Sequence, residues 1–384
     1  MRGALAAPTW PTAFDAAHAQ RRRKTMNTPR TRSQATIDAH SLGALLGERY
    51  FRSFLLAGER NIVQGLNREG TDEARFASFY DRLPGDMQLQ VKSYFQQQAG
   101  FASPKRQRLL GPLSAVSSEQ VLTTATTARD LIAEFEGLAR FGNMHSATSH
   151  AKRHVGNAAT DQRIPSISAS GHGLTLSLHL DSLRVDESQD DWLFGRRNTT
   201  DEVRLAVMTV NPRGIIKMKH HNLGDIQERQ KMPFNGKRLA RLAQGVGGDD
   251  WPKRWSCVVY AWERDGGRKQ NKALDAAVEH IRSVVSKEMI EDAVEAKSKG
   301  KLPPEVVEAI ASTAKSFLDG AFAWLAGLLR NDNDQLGSHQ KDVEFTQPSL
   351  TWRSTGTSRS EQWAWQFKGS GGQWTTTMHW RLSS

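Results

Sequence analysis

Carboxylates gather in two segments, each adjoining a predicted strand. The first follows the strand that starts at Leu174, and the second follows the strand that ends at Trp262. Calcium takes several oxygen ligands at about 2.3–2.6 Å, which Asp and Glu side chains on flexible loops supply. The candidate calcium ligands are Asp186, Asp190, Asp191, Asp201, Glu263 and Asp265. Because Asp also favours turn geometry, acidic turns without a metal are the alternative.

Tryptophans crowd the last part of the chain. Trp363 and Trp365 share one face of a predicted strand, as do Trp374 and Trp380, because alternate residues of a strand point to the same side. If the rings are exposed, they form a platform on which sugar rings or lipid headgroups stack. If they are buried, they fill a hydrophobic core. The alternation pairs the rings without deciding between these two roles.

The segment 317–329 is apolar on nearly all sides. A helix of this kind either fills a core or enters a membrane surface. We favour core packing, because the segment is too short to span a bilayer and Asp319 lies within it. In the membrane alternative, Phe322, Trp324 and Leu325 would contact the lipid. The chain contains no run of about 18 apolar residues, so we expect no transmembrane span.

Residues that could support catalysis do not assemble into a recognisable motif. His150 and His154 have the spacing of one helix face, but no His-Glu-x-x-His pattern accompanies them. Cys257, the one cysteine, stands inside an apolar strand, where inert burial is expected. No nucleophile, base and orienting acid can be combined from these patterns. We therefore predict a protein that is not an enzyme.

The chain carries a formal net charge of +11, and most of the excess lies in residues 1–165. The basic cluster Lys105–Arg108 has no alternating aromatic residues on which bases could stack, so solvated loops are favoured over nucleic-acid binding. We predict a disordered basic tail over 1–40. It lacks the apolar stretch of a secretory signal, which favours a cytoplasmic protein or export by a signal-independent route.

The hydrophobic period divides the rest of the chain. It is close to 3.6 over 41–142, which predicts a helical domain, and the polar segment 143–166 reads as a linker. From Leu174 onwards the period is two, which predicts strands. Two amphipathic helices within 273–330 interrupt these strands. The predicted fold class is α+β: an N-terminal helical domain followed by an antiparallel β-sandwich over 167–384 with an inserted helical hairpin.

The sandwich region resembles a C2-like domain. In that family a strand runs into a loop with an Asp, a second Asp precedes the next strand, and a later loop carries two acids one residue apart. Asp186, Asp201 and the pair Glu263 and Asp265 stand at these places. The resemblance implies calcium held by loops at one end of the sandwich.

These observations favour a non-enzymatic binding protein whose sandwich engages a membrane surface, a glycan or a protein partner, as a bacterial effector or toxin component would. A structural subunit of a larger assembly, with its basic tail on an anionic partner, is the first alternative. A hydrolase is the second. Self-association separates the first two hypotheses, because an assembly subunit forms large species unaided.

Overall fold

A computed structural model describes the chain from residue 39 onwards, with gaps. The described residues are 39–117, 119–122, 174–188, 192–193, 196–197, 200–245, 252–263, 272–273, 275–284, 304–329, 335–346, 349–369 and 372–384. The predicted linker 143–166 and nearly all of the predicted basic tail 1–40 lie outside these ranges. So do three candidate calcium ligands, Asp190, Asp191 and Asp265.

The described part begins with a group of helices. They are α1 (Ala39–Gln64), α2 (Asp72–Asp81), α3 (Gly85–Ala99) and α4 (Ser103–Leu110). Thr71 caps α2, since its side chain accepts a hydrogen bond from the backbone N–H of Ala74 at 3.4 Å. The helix α5 (275–284) and the long helix α6 (Pro304–Leu329) follow later in the chain. The predicted N-terminal helical region is confirmed over 41–110, and its last part, 123–142, lies outside the described ranges.

Most of the described strands form two antiparallel sheets of four strands each. Sheet 1 has the order β6-β1-β10-β9 and sheet 2 the order β5-β4-β7-β8. Their bounds are β1 Leu174–Glu187, β4 Thr200–Val210, β5 Ile216–Gln227, β6 Lys231–Gly245, β7 Lys253–Glu263, β8 Gln335–Phe345, β9 Trp363–Gly369 and β10 Gly372–Ser383. The two-residue strands β2 (Trp192–Leu193) and β3 (Arg196–Arg197) pair separately. The α+β class and the helices inserted between β7 and β8 are as predicted.

The two sheets enclose a common hydrophobic core. Alternate residues of β1 point into it, as the period of two requires, and Leu176, Leu178 and Leu180 are fully buried there. Trp374 and Trp380 of β10 occupy the same core. Cys257 is buried among them, and this burial raises the pKa of its thiol. The expectation of an inert cysteine agrees with this position.

A second core lies on the opposite face of sheet 2, between the sheet and the helices. Strands β4 and β7 bury both faces, because Ala206, Met208 and Tyr260 point away from the first core and contact the helical layer. Tyr260 stacks on Phe322 of α6 with ring centroids 5.4 Å apart. Helix α6 packs in turn against α1. A Cβ atom on Gly47 would lie 2.3 Å from the carbonyl oxygen of Thr313, so the two helices touch through their backbones.

The described residues, from 39 onwards, belong to one compact unit. The N-terminal helices and the inserted helices, which the sequence places far apart, contribute side chains to the same hydrophobic cluster. Phe54 of α1 lies at its centre, 5.7 Å from Phe317 and 5.5 Å from Trp324 by ring centroids. The helical region is therefore built from the helices that precede β1 and from those inserted between β7 and β8.

Candidate functional site

A cleft of about 550 Å³ opens on the outer face of sheet 1, the face turned away from sheet 2. We call it the histidine cleft. Its lining includes His179, Asp181, Gly236, Arg359, His379 and Arg381. These residues come from β1, β6, β10 and the segment before β9. The volume falls within the range of about 300–1,000 Å³ that is usual for small-ligand sites.

Strand register brings the two histidines together. His179 on β1 and His379 on β10 are direct cross-strand partners, and both alternate with core residues, so they point outwards. Their rings stack with centroids 5.1 Å apart and an interplanar angle of 20°. On the other side of β1, His179 is paired with Arg238 of β6. One row across the sheet therefore reads arginine, histidine, histidine.

Two irregularities in the strands shape the cleft. The register of β1 shifts between Leu180 and Ser182 in its pairing with both neighbours, which leaves Asp181 as an extra residue in a bulge. In β6 the backbone of Asn235 and Gly236 has positive φ angles of 49° and 76°. Bulges of this kind re-aim a side chain out of the regular pleat. Here they direct Asp181 and the Gly236 carbonyl towards the histidines.

Asp181 is the anchor of a hydrogen-bond network. Its Oδ2 accepts hydrogen bonds from His379 Nδ1 at 2.8 Å, Arg359 Nη2 at 3.0 Å and Gln362 Nε2 at 2.8 Å. His179 Nδ1 lies 2.6 Å from the carbonyl oxygen of Gly236. A carboxylate and a carbonyl can only accept, so the Nδ1 atom of each histidine carries the proton. In the neutral rings Nε2 is then the unprotonated nitrogen.

The surroundings keep both histidines neutral near pH 7. Burial lowers the pKa of His179, and the charges of Arg381 and Arg238 lower it further, against the raising effects of the Gly236 hydrogen bond and Asp181. Burial also lowers the pKa of His379, and its bond to Asp181 opposes this shift. The two rings can therefore take up protons when a negative charge enters the cleft.

The cleft has an excess of positive charge. Arg359 is paired with Asp181 at 3.0 Å. Arg381 and Arg238 are exposed, and neither forms a salt bridge with a carboxylate in the described part of the chain. Guanidinium groups bind carboxylate and phosphate oxygens through a planar fork of donors. The cleft thus has the composition of an anion-binding site.

The sequence contained little that would have revealed this cleft. The alternation of Leu174 to Leu180 predicts the strand and places His179 on its polar face. His379, however, lies 198 residues from Asp181. The pairing of β1 with β10 brings these two residues together. The sequence pattern of β1 does not show where the bulge occurs. The arginine at 359 stands in a segment without periodicity.

The described candidate calcium ligands have other partners. Asp201 is fully buried, where it accepts hydrogen bonds from the Ser188 hydroxyl and from Trp374 Nε1, the latter at 2.7 Å. Asp186 accepts from Arg184 and from Thr375. Glu263 is buried at the end of β7. Among the described residues, no group of three or more His, Cys, Asp or Glu is arranged to hold a metal ion. Calcium binding stays a prediction.

We expect Asp201 to stabilise the fold whether or not calcium is present. Asp201→Ala leaves the Trp374 indole N–H without its acceptor, and each buried donor left unsatisfied costs about 1–3 kcal/mol. Urea unfolding in EGTA and in millimolar calcium should show the same loss. Asp186→Ala, at a partly exposed position, is the control and should cost less. A loss that occurs only with calcium would instead make Asp201 a metal ligand.

The four candidate platform tryptophans separate into two pairs. Trp374 and Trp380 are 0% and 2% exposed, so they belong to the core and cannot stack on a ligand at the surface. Trp363 and Trp365 are half-buried on the edge strand β9, with ring centroids 5.8 Å apart. Trp365 also stacks on His339 of β8. The platform prediction fails for the first pair because the strand face that carries them points between the sheets.

The apolar helix packs in the core, as favoured from the sequence. Trp324 and Leu325 are 4% and 6% exposed, and Phe322 stacks on Tyr260. The alternative in which these three side chains contact a membrane is wrong, because they face sheet 2 and α1. None of the helices in the described ranges has the length and apolar character needed to cross a membrane.

The chain matches no protein-family model, no curated protein and no solved structure. Function depends on a site and not on a fold, since one fold hosts many functions. The histidine cleft, with its charges and its hydrogen-bond network, is therefore the feature from which a function can be inferred.

Proposed function

We propose that the protein is a non-enzymatic binding protein whose histidine cleft holds an anionic group of its partner. The partner is a membrane surface, a glycan or a protein that presents this group. The two-sheet region that carries the cleft is proposed to be a C2-like sandwich, as the resemblance implies. Calcium at the acidic segments, if bound, would be an addition to this site.

The observation that carries the proposal is the imbalance of charge in the cleft. Arg359 and Arg381 in the cleft and Arg238 beside it on β6 bring three permanent positive charges near the two histidines, while Asp181 already accepts three hydrogen bonds. A bound anion would give the exposed guanidinium groups of Arg238 and Arg381 a partner of opposite charge. Charge-assisted hydrogen bonds of this kind are about twice as strong as neutral ones.

The hydrogen bonds of Asp181 suit it to positioning its neighbours in the cleft. Oδ2 of Asp181 accepts hydrogen bonds from Arg359, Gln362 and His379, so Asp181 orients the arginine and the histidine. The network fixes donors in place before a ligand arrives, which reduces the entropic cost of binding.

The proposal predicts that removing two cleft charges weakens binding to a polyanion. Three probes represent the three partner types: vesicles of phosphatidylcholine and phosphatidylserine, heparin, and polyglutamate. We expect the protein to bind at least one of them at 150 mM NaCl. Arg238→Gln with Arg381→Gln should weaken that binding about 10- to 100-fold, because two charge-assisted contacts are lost.

A matched control removes two charges elsewhere. Arg213 and Lys217 are exposed near the turn between β4 and β5, on sheet 2. Arg213→Gln with Lys217→Gln produces the same net charge and should leave binding within about twofold, since distant exposed charges are screened by salt. Equal weakening by both double variants, or no binding to any probe, would contradict the proposal.

A further inference from the structure

The geometry of the histidine cleft restricts the kind of anion that it can hold. This inference rests on the proposed binding function and specifies its ligand. Register places two rows of donors side by side on the outer face of sheet 1. The first row is Arg238, His179 and His379, and the second is Arg241, Ser177 and Arg381. Because neighbouring strands are about 4.8 Å apart, side chains from β6, β1 and β10 can contact the same ligand.

A carboxylate uses such an arrangement poorly. It is planar, and one guanidinium fork satisfies both of its oxygens. A phosphate monoester presents three terminal oxygens in a tetrahedral arrangement, each able to accept hydrogen bonds from a different strand. The arginines of β6 and β10 lie on opposite sides of β1, which suits an anion with oxygens on more than one side.

Charge leads to the same conclusion. The three guanidinium groups nearest the histidines exceed the single carboxylate by two positive charges. A phosphate monoester carries about −1.5 to −2 at pH 7 and balances this excess. A carboxylate carries one negative charge and leaves the cleft positive. A dianion also offsets the repulsion that would arise if both stacked histidines were protonated.

We infer that the histidine cleft takes a phosphate monoester, and that His179 and His379 gain protons when it binds. The charged groups that face the two rings are Asp181 on β1, Arg238 on β6, Arg359 in the segment before β9, and Arg381 on β10. Among these charged groups Asp181 alone favours protonation of the empty cleft, with the Gly236 carbonyl as a neutral acceptor beside it. A bound dianion reverses this balance, because it adds two negative charges near the two rings.

Binding and protonation are therefore coupled. Protons enter the histidines more easily when the anion is present, so by reciprocity the anion binds more tightly when protons are abundant. For an anion that stays a dianion over this range, such as sulfate, the sign is fixed: affinity rises as the pH falls from 7.5 to 5.5. Two histidines on one ligand make this dependence steeper than one would.

Titration calorimetry with small anions tests the inference on the full chain. Inorganic sulfate is the probe for pH dependence, because it stays a dianion throughout this range. We expect sulfate to bind at least tenfold more tightly at pH 5.5 than at pH 7.5, with proton uptake visible as a dependence of the heat on the buffer. Methyl phosphate should bind at pH 7.5, and acetate should bind at least tenfold more weakly than either.

Two variants separate the roles of the residues. His379→Gln should reduce the pH dependence of sulfate binding, and it should weaken binding more at pH 5.5 than at pH 7.5. Arg381→Gln should weaken sulfate binding at every pH. Circular dichroism spectra that match the unaltered protein will show that the variants fold. Affinity for sulfate that does not change with pH would overturn the part assigned to the histidines.

Two sources could supply the phosphate group, a lipid headgroup and a soluble phosphate ester. Sedimentation with phosphatidylcholine vesicles that contain phosphatidic acid distinguishes them from methyl phosphate in solution. Acetate binding as tight as methyl phosphate binding would remove the phosphate assignment but leave the anion-binding function. Failure of all small anions and of the three polyanionic probes would remove both.

Discussion

Phe54→Ala is expected to lower the free energy of unfolding by about 3–5 kcal/mol. Phe54 is 2% exposed, and its ring lies within 6.3 Å, between centroids, of six other aromatic rings. These rings belong to α1, α2, α5 and α6. Truncation therefore opens a cavity where four helices meet, and close-packed neighbours cannot fully collapse into it. Urea unfolding followed by tryptophan fluorescence measures the loss.

Leu45→Ala is the matched control, because Leu45 lies on the same helix and is 50% exposed. Its cost should stay near 0.5 kcal/mol, as for other surface substitutions. The loss in Phe54→Ala should appear in one transition that includes the sheets, because the second core joins the helices to sheet 2. A separate early transition of the helices alone would show that the two cores unfold independently.

Acid is expected to destabilise the protein through His280. This ring is buried between Phe54 and Phe317. Burial lowers its pKa from 6.5 to about 3, and the charge of Arg75 contributes to the same shift. Between these two pKa values the unfolded chain binds a proton that the folded chain does not. Stability is therefore fully present above pH 6.5, and it falls by about 1.4 kcal/mol per pH unit as the pH drops towards 3.

His221 adds to this dependence. Burial lowers its pKa to about 4, against the raising effect of its hydrogen bond to the Leu239 carbonyl oxygen. The two contributions overlap from pH 6.5 to about 4. Urea unfolding at pH 7.5, 6.0, 5.0 and 4.5 measures the combined slope.

His280→Leu isolates the first contribution. It should reduce the slope by about 1.4 kcal/mol per pH unit below pH 6. Phe79→Leu, another substitution in the same aromatic cluster, should lower stability while leaving the slope unchanged. If His280→Leu keeps the full slope, the acid sensitivity arises from other groups.

Local periodicity explains the part of the fold that the sequence predicted. The alternation in β1 and the amphipathic pattern of α6 each follow from one buried face, so the residues of a single element suffice to find them. The loss of alternation in β7 is equally informative. That strand reads as continuously apolar because one face meets sheet 1 and the other meets the helices.

Partners and side-chain environments could not be predicted in the same way. The apolar face of α1 requires a cover, but its pattern does not say whether sheet or helix supplies it. Gly43 and Gly47 are spaced for close helix packing, and only the structure shows that α6 is the partner. Trp374 and Trp380 likewise could have been surface or core residues.

The candidate site depended on the same long-range information. The alternation of β1 alone predicts that His179 points outwards. Its pairing with His379 and the bulge at Asp181 depend on strand register, which the sequence does not show. Acidic residues, by contrast, attract attention in a sequence even where they serve the core, as Asp201 does. The acidic residues could be found because they are neighbours in the sequence. The residues of the cleft become neighbours only in the folded chain.

The long-range pairing of the chain determines when it can fold during synthesis. Helix α1 emerges from the ribosome early, but Ser312, which lies within hydrogen-bond distance of His40, is 272 residues further on. Strand β10 is an interior strand of sheet 1, between β1 and β9, so the sheet stays open until β10 has been made. At about 5–20 residues per second, β1 must wait on the order of ten seconds or more for this partner. During that interval its leucines lack the strand that covers them in the folded protein, and exposed apolar surface of this kind favours aggregation.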